Sequence, residues 1–160
     1  MTLPTSPADA HVDRPATPAD VPVLIDFQLR LGRESESLEL DAAVLREGVA
    51  GVFADPRRGR YWVAEAEERV VGCLLTTFEW SDWRAGQIVW VQSVYVDPAA
   101  RRRGVYRRLY ERLRQNVEAS PGLKGIRLYV DRTNTAAQRT YERLGMSREH
   151  YEMYEWLKPL

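Results

Sequence analysis

The sequence predicts an α/β (α+β) fold built on a central sheet, because the chain twice passes from a strand through a short loop into a helix. The first of these strands covers 88–96, where β-branched and aromatic residues dominate, and apolar residues at helical spacing follow over 103–118. The same order recurs as a strand over 125–131 and a helix over 134–144. Strands that alternate with amphipathic helices are typical of a layered α/β domain.

A hairpin is predicted ahead of these two units. Runs rich in β-branched and aromatic residues cover 60–66 and 69–80, and only Glu67 and Glu68 separate them. A two-residue gap of this kind predicts antiparallel neighbours. A last strand is predicted near 150–157.

The chain before the hairpin is predicted to be mostly helical. Residues 1–10 are rich in Pro, Thr, Ser and Ala with little to bury, so they are predicted to form a disordered tail, and a short strand is expected over 11–14. An N-cap, a proline at the first helical position and an acidic first turn predict a helix over 18–31, which Gly32 is expected to end. A second helix is predicted over 41–53.

Length and composition fit one domain, expected over 11–160. The chain has 160 residues, of which 44% are hydrophobic, enough for a single core. Its 23 basic and 23 acidic residues balance, which argues against a nucleic-acid coat. No apolar stretch reaches the roughly 18 residues of a membrane span, and no leader is recognised. These observations predict a cytoplasmic protein that binds neither nucleic acid nor membranes.

Cys73 is the one cysteine of the chain, which excludes an internal disulfide and a multi-cysteine metal site. It lies in the apolar run over 70–75. Cys73 is therefore predicted to be a small core residue and not a nucleophile, and no metal is expected.

The loop after the strand over 88–96 has the composition of an anion site. Arg101, Arg102 and Arg103 supply positive charge, and Gly104 lets the backbone approach a ligand that a Cβ would hold away. The amides at the following helix start favour phosphate. On these residues alone, a solvated basic helix start is an equal alternative.

A second segment further along the chain has its own pattern. Ala137, Tyr141 and Leu144 share one helical face. Asn134 can cap this helix, and Gly145 is typical of its end. On spacing alone, Tyr141 is an amphipathic-helix aromatic with its ring in the core and its hydroxyl at the edge.

Together the two segments resemble the GNAT superfamily of N-acetyltransferases. The first signature of that family, a strand, then R/Q-x-x-G-x-G/A, then a helix, is matched by Arg101 and Gly104, with Tyr106 where Gly or Ala is usual. The resemblance covers roughly 17–156 and is strongest over 89–146. The second signature, N-x-x-A-x-x-x-Y-x-x-x-G-F, is matched at Asn134, Ala137, Tyr141 and Gly145, with Met146 in place of Phe.

The resemblance implies a GNAT-like fold: a mixed, mostly antiparallel sheet of six to seven strands, flanked by about four helices and splayed between the fourth and fifth strands. It also implies an acetyl-CoA-dependent N-acetyltransferase. In such an enzyme a primary amine attacks the acetyl group directly through a tetrahedral intermediate. Acetyl-CoA is then a co-substrate and no metal takes part. The amine acceptor is not identified, and a homodimer stays open.

The resemblance places the pyrophosphate of acetyl-CoA over the amides of 101–107 and the pantetheine arm along the fourth strand. An amide of that strand can point at the thioester oxygen and stabilise an oxyanion. Asn134 is expected to contact the arm from the other side. The expected cofactor-binding residues are Val94, Tyr95, Val96, Arg101, Arg102, Arg103, Gly104, Val105, Tyr106, Arg107 and Asn134.

Two proton transfers are expected. The resemblance assigns protonation of the departing CoA thiolate to Tyr141. For the proton of the acceptor amine, Glu79 is the candidate base, because nearby aromatic residues could lower the local dielectric and raise its pKa; an exposed strand-end carboxylate is the alternative. Many family members have a glutamate on the fourth strand where this chain has Gln92, which cannot act as a base. A water chain ordered by Gln92, Ser93 or Glu79 is an equal competitor.

The acceptor is expected to contact the first helix, the link over 33–40 and the region over 79–92. Carboxylates are interleaved there with tryptophans, which suits a cationic amine stacked on indole faces at about 0.5–2 kcal/mol per contact. A solvated linker with aromatic core and dimer-contact residues is the alternative. The expected acceptor-binding residues are Glu36, Trp80, Trp83 and Gln92.

Two other classes of function stay open. A catalytically impaired acyl-CoA-binding regulatory module is favoured by Gln92 and Tyr106 but opposed by Tyr141. A nucleic-acid-binding protein could use the arginines over 101–108, and its binding would depend steeply on salt.

Overall fold

The structure is a computed structural model that describes residues 11–158; the tail predicted over 1–10 lies outside the described residues. Within that range one sheet has five strands in sequential order, and the first four pair antiparallel. The strands are β1 (His11–Pro15), β2 (Arg60–Ala66), β3 (Arg69–Ser81), β4 (Gly86–Val96) and β5 (Leu123–Leu128).

Four α-helices accompany the sheet in the described part of the chain, as predicted, with bounds within three residues of the expected ones. Short turns of other kinds, a 3-10 turn at Pro18–Asp20 and a π turn at Gly32–Glu36, flank the first helix. The helices are α1 (Val21–Leu31), α2 (Ala42–Ala54), α3 (Val105–Ala119) and α4 (Thr135–Arg143).

The hairpin between β2 and β3 forms as predicted. Glu67 and Glu68 both have positive φ, 51° and 58°, which is the conformation of a type I′ turn. The first residue pair beyond them is Ala66 with Arg69. This turn matches the right-handed twist of the strands it joins.

β5 starts beside the start of β4. The amide of Gln87 donates to the carbonyl of Gly122 at 2.8 Å, and a Cβ at Gly125 would lie 3.6 Å from the side chain of Ile88. From the first contact to the second, the residue number rises on both strands, from Gln87 to Ile88 and from Gly122 to Gly125. β4 and β5 therefore run in the same direction. The sheet is therefore mixed and mostly antiparallel, as predicted.

A β-bulge interrupts the pairing of β3 with β4. Two steps along β3, from Leu74 to Thr76, match three steps along β4, from Val94 back to Val91. β4 therefore holds one extra residue at 92–93. Bulges of this kind increase local twist and are over-represented beside active sites.

One face of the sheet packs against α1 and α2. Cys73 is fully buried in this core, and burial raises the pKa of its thiol to about 12, so it is a core residue as predicted. The buried members of this core are Leu24, Phe27, Val49, Tyr61, Val63, Cys73 and Tyr95.

α3 packs on the opposite face. A Cβ at Gly72 would lie 2.9 Å from the side chain of Val105, whereas the next residue, Cys73, points to the α1 side. Successive side chains of a strand alternate between faces, so α3 and α1 cover different sides. The buried stripe of α3 is Val105, Leu109, Tyr110, Leu113 and Val117.

An ionic cluster ties β1 to the start of the first helix. Arg14 donates to both carboxylate oxygens of Asp20, at 2.8 and 3.0 Å, and also pairs with Glu65 of β2. The amide of Thr17 donates to Asp20 at 2.7 Å. The bonds from Arg14 hold the pKa of Asp20 below its usual value, although burial opposes this shift.

Two expectations about the sheet are wrong. The resemblance predicts six to seven strands, whereas the described residues form five. The strand predicted near 150–157 is irregular chain, and its Tyr151, Tyr154 and Trp156 side chains are largely exposed. Such a segment becomes a strand only where a neighbour pairs with its backbone, because strand preference reflects the packing context.

The end of the first helix also differs from the prediction. Gly32 does not end it; the chain continues as the π turn, and left-handed Ser37 (φ 54°) follows. A Cβ at Gly32 would lie 3.0 Å from the side chain of Leu40. Glycine is therefore needed here for close packing, and its φ of −55° is ordinary helix.

The chain divides into two compact units, one ending at Arg127 and the other beginning at Leu128. α4 belongs to the second unit. The expectation of a single domain over 11–160 stays a prediction, and so does the splay between the fourth and fifth strands.

Candidate active site

The loop between β4 and α3 is held in a defined conformation. The Asp97 carboxylate accepts a hydrogen bond from the amide of Ala99 at 2.9 Å, and a 3-10 turn covers Pro98–Ala100. Arg102 (φ 65°) and Gly104 (φ 73°) are left-handed. A non-glycine residue in that region costs about 1–3 kcal/mol, and such residues cluster at ligand sites.

Gly104 is the N-cap of α3 and has no side chain to bond the amides of the first turn. Those amides have no carbonyl partner within the helix, and they lie at the positive end of its dipole. Apart from Gly104 and its two chain neighbours, no heavy atom of the described residues lies within 4 Å of the position a Cβ on Gly104 would take. The loop therefore presents an uncapped helix start on an open surface.

Arg101 is held by three contacts. Its Nε donates to the carbonyl of Val96 at 2.9 Å, and its Nη2 donates to Glu34 in the π turn. Its guanidinium carbon lies 5.6 Å from the centroid of the Tyr95 ring, within range of a cation–π contact. The side chain therefore lies against the strand that carries the loop.

Glu34 lies in the 33–40 link that the sequence analysis assigned to the acceptor, but its contact with the loop was not expected. Its carboxylate accepts from Arg101 and, at 2.8 Å, from the hydroxyl of Tyr95. These bonds, chiefly the one from Arg101, hold the pKa of Glu34 below its usual value. No spacing rule links Glu34 to residues that lie 61 and 67 positions away.

The other arginines of the loop point to solvent. Arg102 and Arg103 are exposed, and Arg107 pairs with Glu111 one turn along α3 at 2.8 Å. Arg108 approaches Asp13 of β1 at 3.3 Å. Positive charge that can move toward a ligand thus lies on Arg102 and Arg103, whereas Arg108 is tied to the sheet.

Tyr106 stands where the family usually has Gly or Ala. Its side chain is half-buried, and its ring centroid lies 6.3 Å from that of Tyr110, one turn along α3. The ring therefore packs along α3. This placement leaves the open surface around Gly104 unfilled.

Val94, Tyr95 and Val96 pair with β3 opposite Leu74, Cys73 and Gly72. In an antiparallel pair, alternate residues direct their backbone groups to one neighbour and the remainder to the other side. Backbone groups of this stretch that do not bond β3 therefore face the β5 side of the strand.

Glu79 lies on β3 with both carboxylate oxygens engaged. Oε2 accepts from the indole N–H of Trp90 at 2.6 Å, and Oε1 accepts from Arg127 at 2.9 Å. Arg127 is a residue that the sequence analysis missed. Phe78, Trp80 and Trp83 were expected to shield this carboxylate; Trp80 and Trp83 are 67% and 88% exposed and do not enclose it, and Phe78 is half-buried.

The remaining residues expected to bind the acceptor occupy different surroundings. The side-chain amide of Gln92, at the bulge, donates to the hydroxyl of Thr77 at 2.9 Å. Glu36 ends the π turn and is exposed. Glu34, Gln92 and Glu79 thus all belong to the first unit, and Trp80 and Trp83 lie at the β3–β4 turn.

The second unit contains Asn134 and Tyr141. The Asn134 side chain accepts from the amide of Ala137 at 3.1 Å, so it caps α4 as predicted. At the other end, Met146 donates to the carbonyl of Tyr141 and Gly145 (φ 84°) donates to Glu142. This is the Schellman arrangement, which accounts for the glycine of the second signature. Tyr141 is half-buried.

Two kinds of feature are absent from the residues that the structure describes. No helix within 11–158 is both long and apolar enough to cross a membrane. Over the same range, no three His, Cys, Asp or Glu side chains come together as metal ligands would.

Comparison with known proteins gives consistent results. A mycothiol acetyltransferase of Gordonia bronchialis is 31% identical over 148 residues, which is 82% of this chain and 47% of that protein. The chain spans about half the length of the curated relatives it matches.

Solved structures match along nearly the whole chain. A possible acetyltransferase from Clostridium difficile 630 is 37% identical with a TM-score of 0.87, over 94% of this chain and 99% of that one. An aminoglycoside N-acetyltransferase in complex with CoA has the same fold, with a TM-score of 0.77 and 13% identity over 99% of this chain and 100% of that one.

A model of the acetyltransferase (GNAT) family matches residues 26–146, which include the Arg101-to-Tyr106 signature and the Asn134-to-Gly145 signature. The family match, the solved structures and the fold agree. The chain belongs to the acetyltransferase (GNAT) family.

Proposed function

We propose that the chain transfers the acetyl group of acetyl-CoA to a primary amine. The observation that carries the proposal is the uncapped start of α3 at Gly104, on an open surface beside three arginines. Backbone amides at a helix start bind phosphate oxygens, and an acetyl-CoA pyrophosphate supplies them. The CoA complex of the aminoglycoside enzyme with the same fold supports this choice of ligand.

The pantetheine arm would bind along β4 at 94–96. Backbone groups on the β5 side of that stretch can pair with the amides of the arm as a strand edge pairs with a peptide. The bulge at 92–93 turns the strand just before this stretch. An amide there would bond the thioester oxygen and stabilise the oxyanion that forms during attack.

In the reaction the amine nitrogen forms a bond to the acetyl carbon, and the carbon–sulfur bond then breaks. Tyr141 would donate its proton to the departing thiolate. The ordinary pKa values of a tyrosine and a thiol are about 10 and 8.5, so this transfer is uphill by about 2 kcal/mol. The transfer therefore needs only mild assistance from the site.

The proton that the amine loses would go to Glu79, directly or through one water. Its half-buried carboxylate is fixed by Trp90 and Arg127, which gives it a defined direction. A water chain ordered by Gln92, Ser93 or Glu79 is the alternative, with the Gln92 amide held at the bulge by its bond to Thr77. The acceptor itself would be cationic, held by Glu36 and by the exposed faces of Trp80 and Trp83.

A second candidate is an acyl-CoA-binding module that does not catalyse transfer. Gln92 favours it, because its side-chain amide, bonded to Thr77 at the bulge, cannot act as a base. Both candidates predict saturable binding of acetyl-CoA, and only the first predicts release of CoA when an amine is added.

The test has two stages. Isothermal titration with acetyl-CoA, at low and high salt, measures a one-site complex; nucleic-acid binding through the loop would instead depend steeply on salt. A panel of amines is then screened for CoA thiol release above the rate without amine. Absence of acetyl-CoA binding would overturn both candidates, and binding without amine-dependent release would favour the second. The cytoplasmic location and the homodimer stay predictions, open to fractionation and sedimentation.

A further inference from the structure

The Glu34 carboxylate contacts the loop that the proposed function assigns to the CoA pyrophosphate. It accepts a hydrogen bond from Arg101 in that loop and another from the Tyr95 hydroxyl on β4. Glu34 itself belongs to the π turn that continues the first helix. One carboxylate therefore joins the start of the phosphate loop to a separate element.

The Nε–Nη2 edge of Arg101 is already occupied. Its Nε is bonded to the carbonyl of Val96 and its Nη2 to Glu34, while its guanidinium carbon lies 5.6 Å from the centroid of the Tyr95 ring. A guanidinium binds carboxylate or phosphate best through two parallel N–H groups. A phosphate that bound the Nε–Nη2 edge through two N–H groups would have to displace the Glu34 carboxylate, and a phosphate bound at Nη1 would share the charge of the guanidinium with it.

The negative charge of Glu34 also opposes binding of the CoA pyrophosphate. The bonds from Arg101 and Tyr95 hold the pKa of Glu34 below its usual value, so the group is ionised near neutral pH. An ionised carboxylate bonded to the loop repels an incoming pyrophosphate, because charges that lie within the screening length of about 8 Å at physiological salt still interact. It also neutralises the first of the three arginines.

We propose that Glu34 is a positioning residue that competes with the CoA pyrophosphate for Arg101, so that acetyl-CoA binds by exchanging one anionic partner of that arginine for another. The proposal rests on the proposed function, because it requires acetyl-CoA to bind at this loop. It assigns to Glu34 a direct influence on acetyl-CoA affinity, exerted through Arg101.

A Glu34 that assists binding and a Glu34 that competes with it predict opposite changes in acetyl-CoA affinity. If Glu34 merely orients Arg101 toward the phosphates, removing the carboxylate charge weakens acetyl-CoA binding. If it competes, removal strengthens binding. The sign of the change therefore decides between the two roles.

The test is isothermal titration of acetyl-CoA into the wild type and Glu34→Gln. Glutamine retains an oxygen that can accept from Tyr95, so the contact with β4 survives while the charge is lost. We expect Glu34→Gln to bind acetyl-CoA about three- to tenfold more tightly, in the range of one exposed ion pair. Thermal unfolding checks that the variant is folded.

Two further proteins isolate the cause. Arg101→Gln is expected to weaken acetyl-CoA binding, and adding Glu34→Gln to it should change nothing more, because the arginine through which Glu34 acts is gone. Glu39→Gln is the matched control: Glu39 pairs with Arg33 on the same segment and does not contact the loop through that pair. Its affinity for acetyl-CoA should equal that of the wild type.

The outcomes distinguish failure of the proposed function from failure of the competition at Arg101. If neither the wild type nor Glu34→Gln binds acetyl-CoA, the proposed function fails. If the wild type binds and Glu34→Gln binds equally or more weakly, the competition is overturned and the proposed function stands. The competition is also overturned if Glu34→Gln tightens binding equally in the Arg101→Gln background.

Discussion

Trp90 and Glu79 are joined across the β3–β4 pair by a hydrogen bond of 2.6 Å from the indole N–H to Oε2 of the carboxylate. Arg127, which lies on β5, donates to the other oxygen, Oε1, at 2.9 Å. The carboxylate is thus oriented by groups from two neighbouring strands, whereas an exposed strand-end side chain would move between rotamers. A base that is fixed in direction can act on only one position of the acceptor.

This geometry makes the proposed role of Glu79 testable. Glu79→Gln should lower kcat/KM at neutral pH by about 10²-fold or more, because general bases contribute factors of this order, and it should remove the acidic limb of the pH profile. The measurement is kcat/KM against pH for both proteins with an acceptor found in the amine screen. A carboxylate that only binds a cationic amine would raise KM and leave the shape of the kcat profile intact.

Trp90→Phe is the control for Glu79→Gln. It removes the indole donor but keeps the carboxylate, so the acidic limb should persist. An unaltered kcat/KM of Glu79→Gln at every pH would remove Glu79 from the mechanism and favour the water held near Gln92.

Tyr141→Phe should leave acetyl-CoA affinity within about twofold while lowering kcat by about 10²-fold, because its hydroxyl is needed only as the thiolate forms. Titration calorimetry and steady-state rates measure the two effects. Tyr151→Phe, which removes a hydroxyl from an exposed position of the same unit, is the matched control and should retain wild-type turnover. Wild-type turnover of Tyr141→Phe across the pH range would make Tyr141 a packing residue.

Two substitutions at Gly104 separate backbone conformation from space. Gly104→Val places a β-branched residue at φ 73°, which is strained, so it should weaken acetyl-CoA binding at least about tenfold, or 1.4 kcal/mol, and lower Tm. Gly104→Asn tolerates this conformation, and the space around it is open. It should therefore keep its Tm and still weaken binding.

The Asn variant is decisive for the loop. Wild-type acetyl-CoA affinity in Gly104→Asn would mean that the glycine serves only the left-handed turn. Unchanged affinity in both variants would mean that acetyl-CoA does not approach this loop.

Asp20 should couple stability to acid. Its folded pKa is lowered, chiefly by Arg14, so its contribution to stability is present above the unfolded value of about 3.9 and is lost as pH falls through the folded value. Asp20→Asn should lower the free energy of unfolding at pH 7 by about 2 kcal/mol, the scale of hydrogen bonds to a charged group. Below about pH 4 the difference from the wild type should shrink.

Asp26→Asn is the matched control, since Asp26 forms an i,i+4 pair with Arg30 and its side chain is 50% exposed. Exposed pairs of this kind contribute about 0.5 kcal/mol or less. Urea unfolding of the three proteins between pH 3 and pH 7 measures both effects. Equal losses in the two variants would show that the Arg14 cluster contributes no more than a surface pair.

The local features of the fold could be predicted from the sequence. The turn at Glu67 and Glu68, the Asn134 cap and the stripe of α3 depend on residues within a few positions of one another, where propensity and periodicity act directly. The loop and helix start at Gly104 were predictable for the same reason, because the strand, loop and helix that form them are contiguous.

The contacts that complete the site could not be predicted this way. Glu34 meets Arg101 across 67 positions and Arg127 meets Glu79 across 48, and such pairs depend on sheet order and on the π turn after α1. The π turn itself was missed because Gly32 resembles a helix end in sequence, whereas its role is to admit the Leu40 side chain. The aromatic residues near Glu79 in the sequence suggested that tryptophans shield its carboxylate. In the structure, one tryptophan, Trp90, contacts this carboxylate by donating a hydrogen bond from its indole N–H.

The extra residue at 92–93 changes which members of β4 point the same way. Trp90 lies opposite Thr77 and Tyr95 lies opposite Cys73; Thr77 and Cys73 are an even number of residues apart on β3 and share its α1 side. Trp90 and Tyr95 are an odd number apart, yet they share that side too. Deleting one residue at 92–93 would remove the bulge and leave Trp90 and Tyr95 four positions apart, still on the same side, whereas pairing the present sequence without a bulge would turn the Tyr95 hydroxyl to the α3 side, away from Glu34. The bulge, independently of the side chains within it, therefore keeps Trp90 and Tyr95 on one side of the sheet although they are an odd number of residues apart.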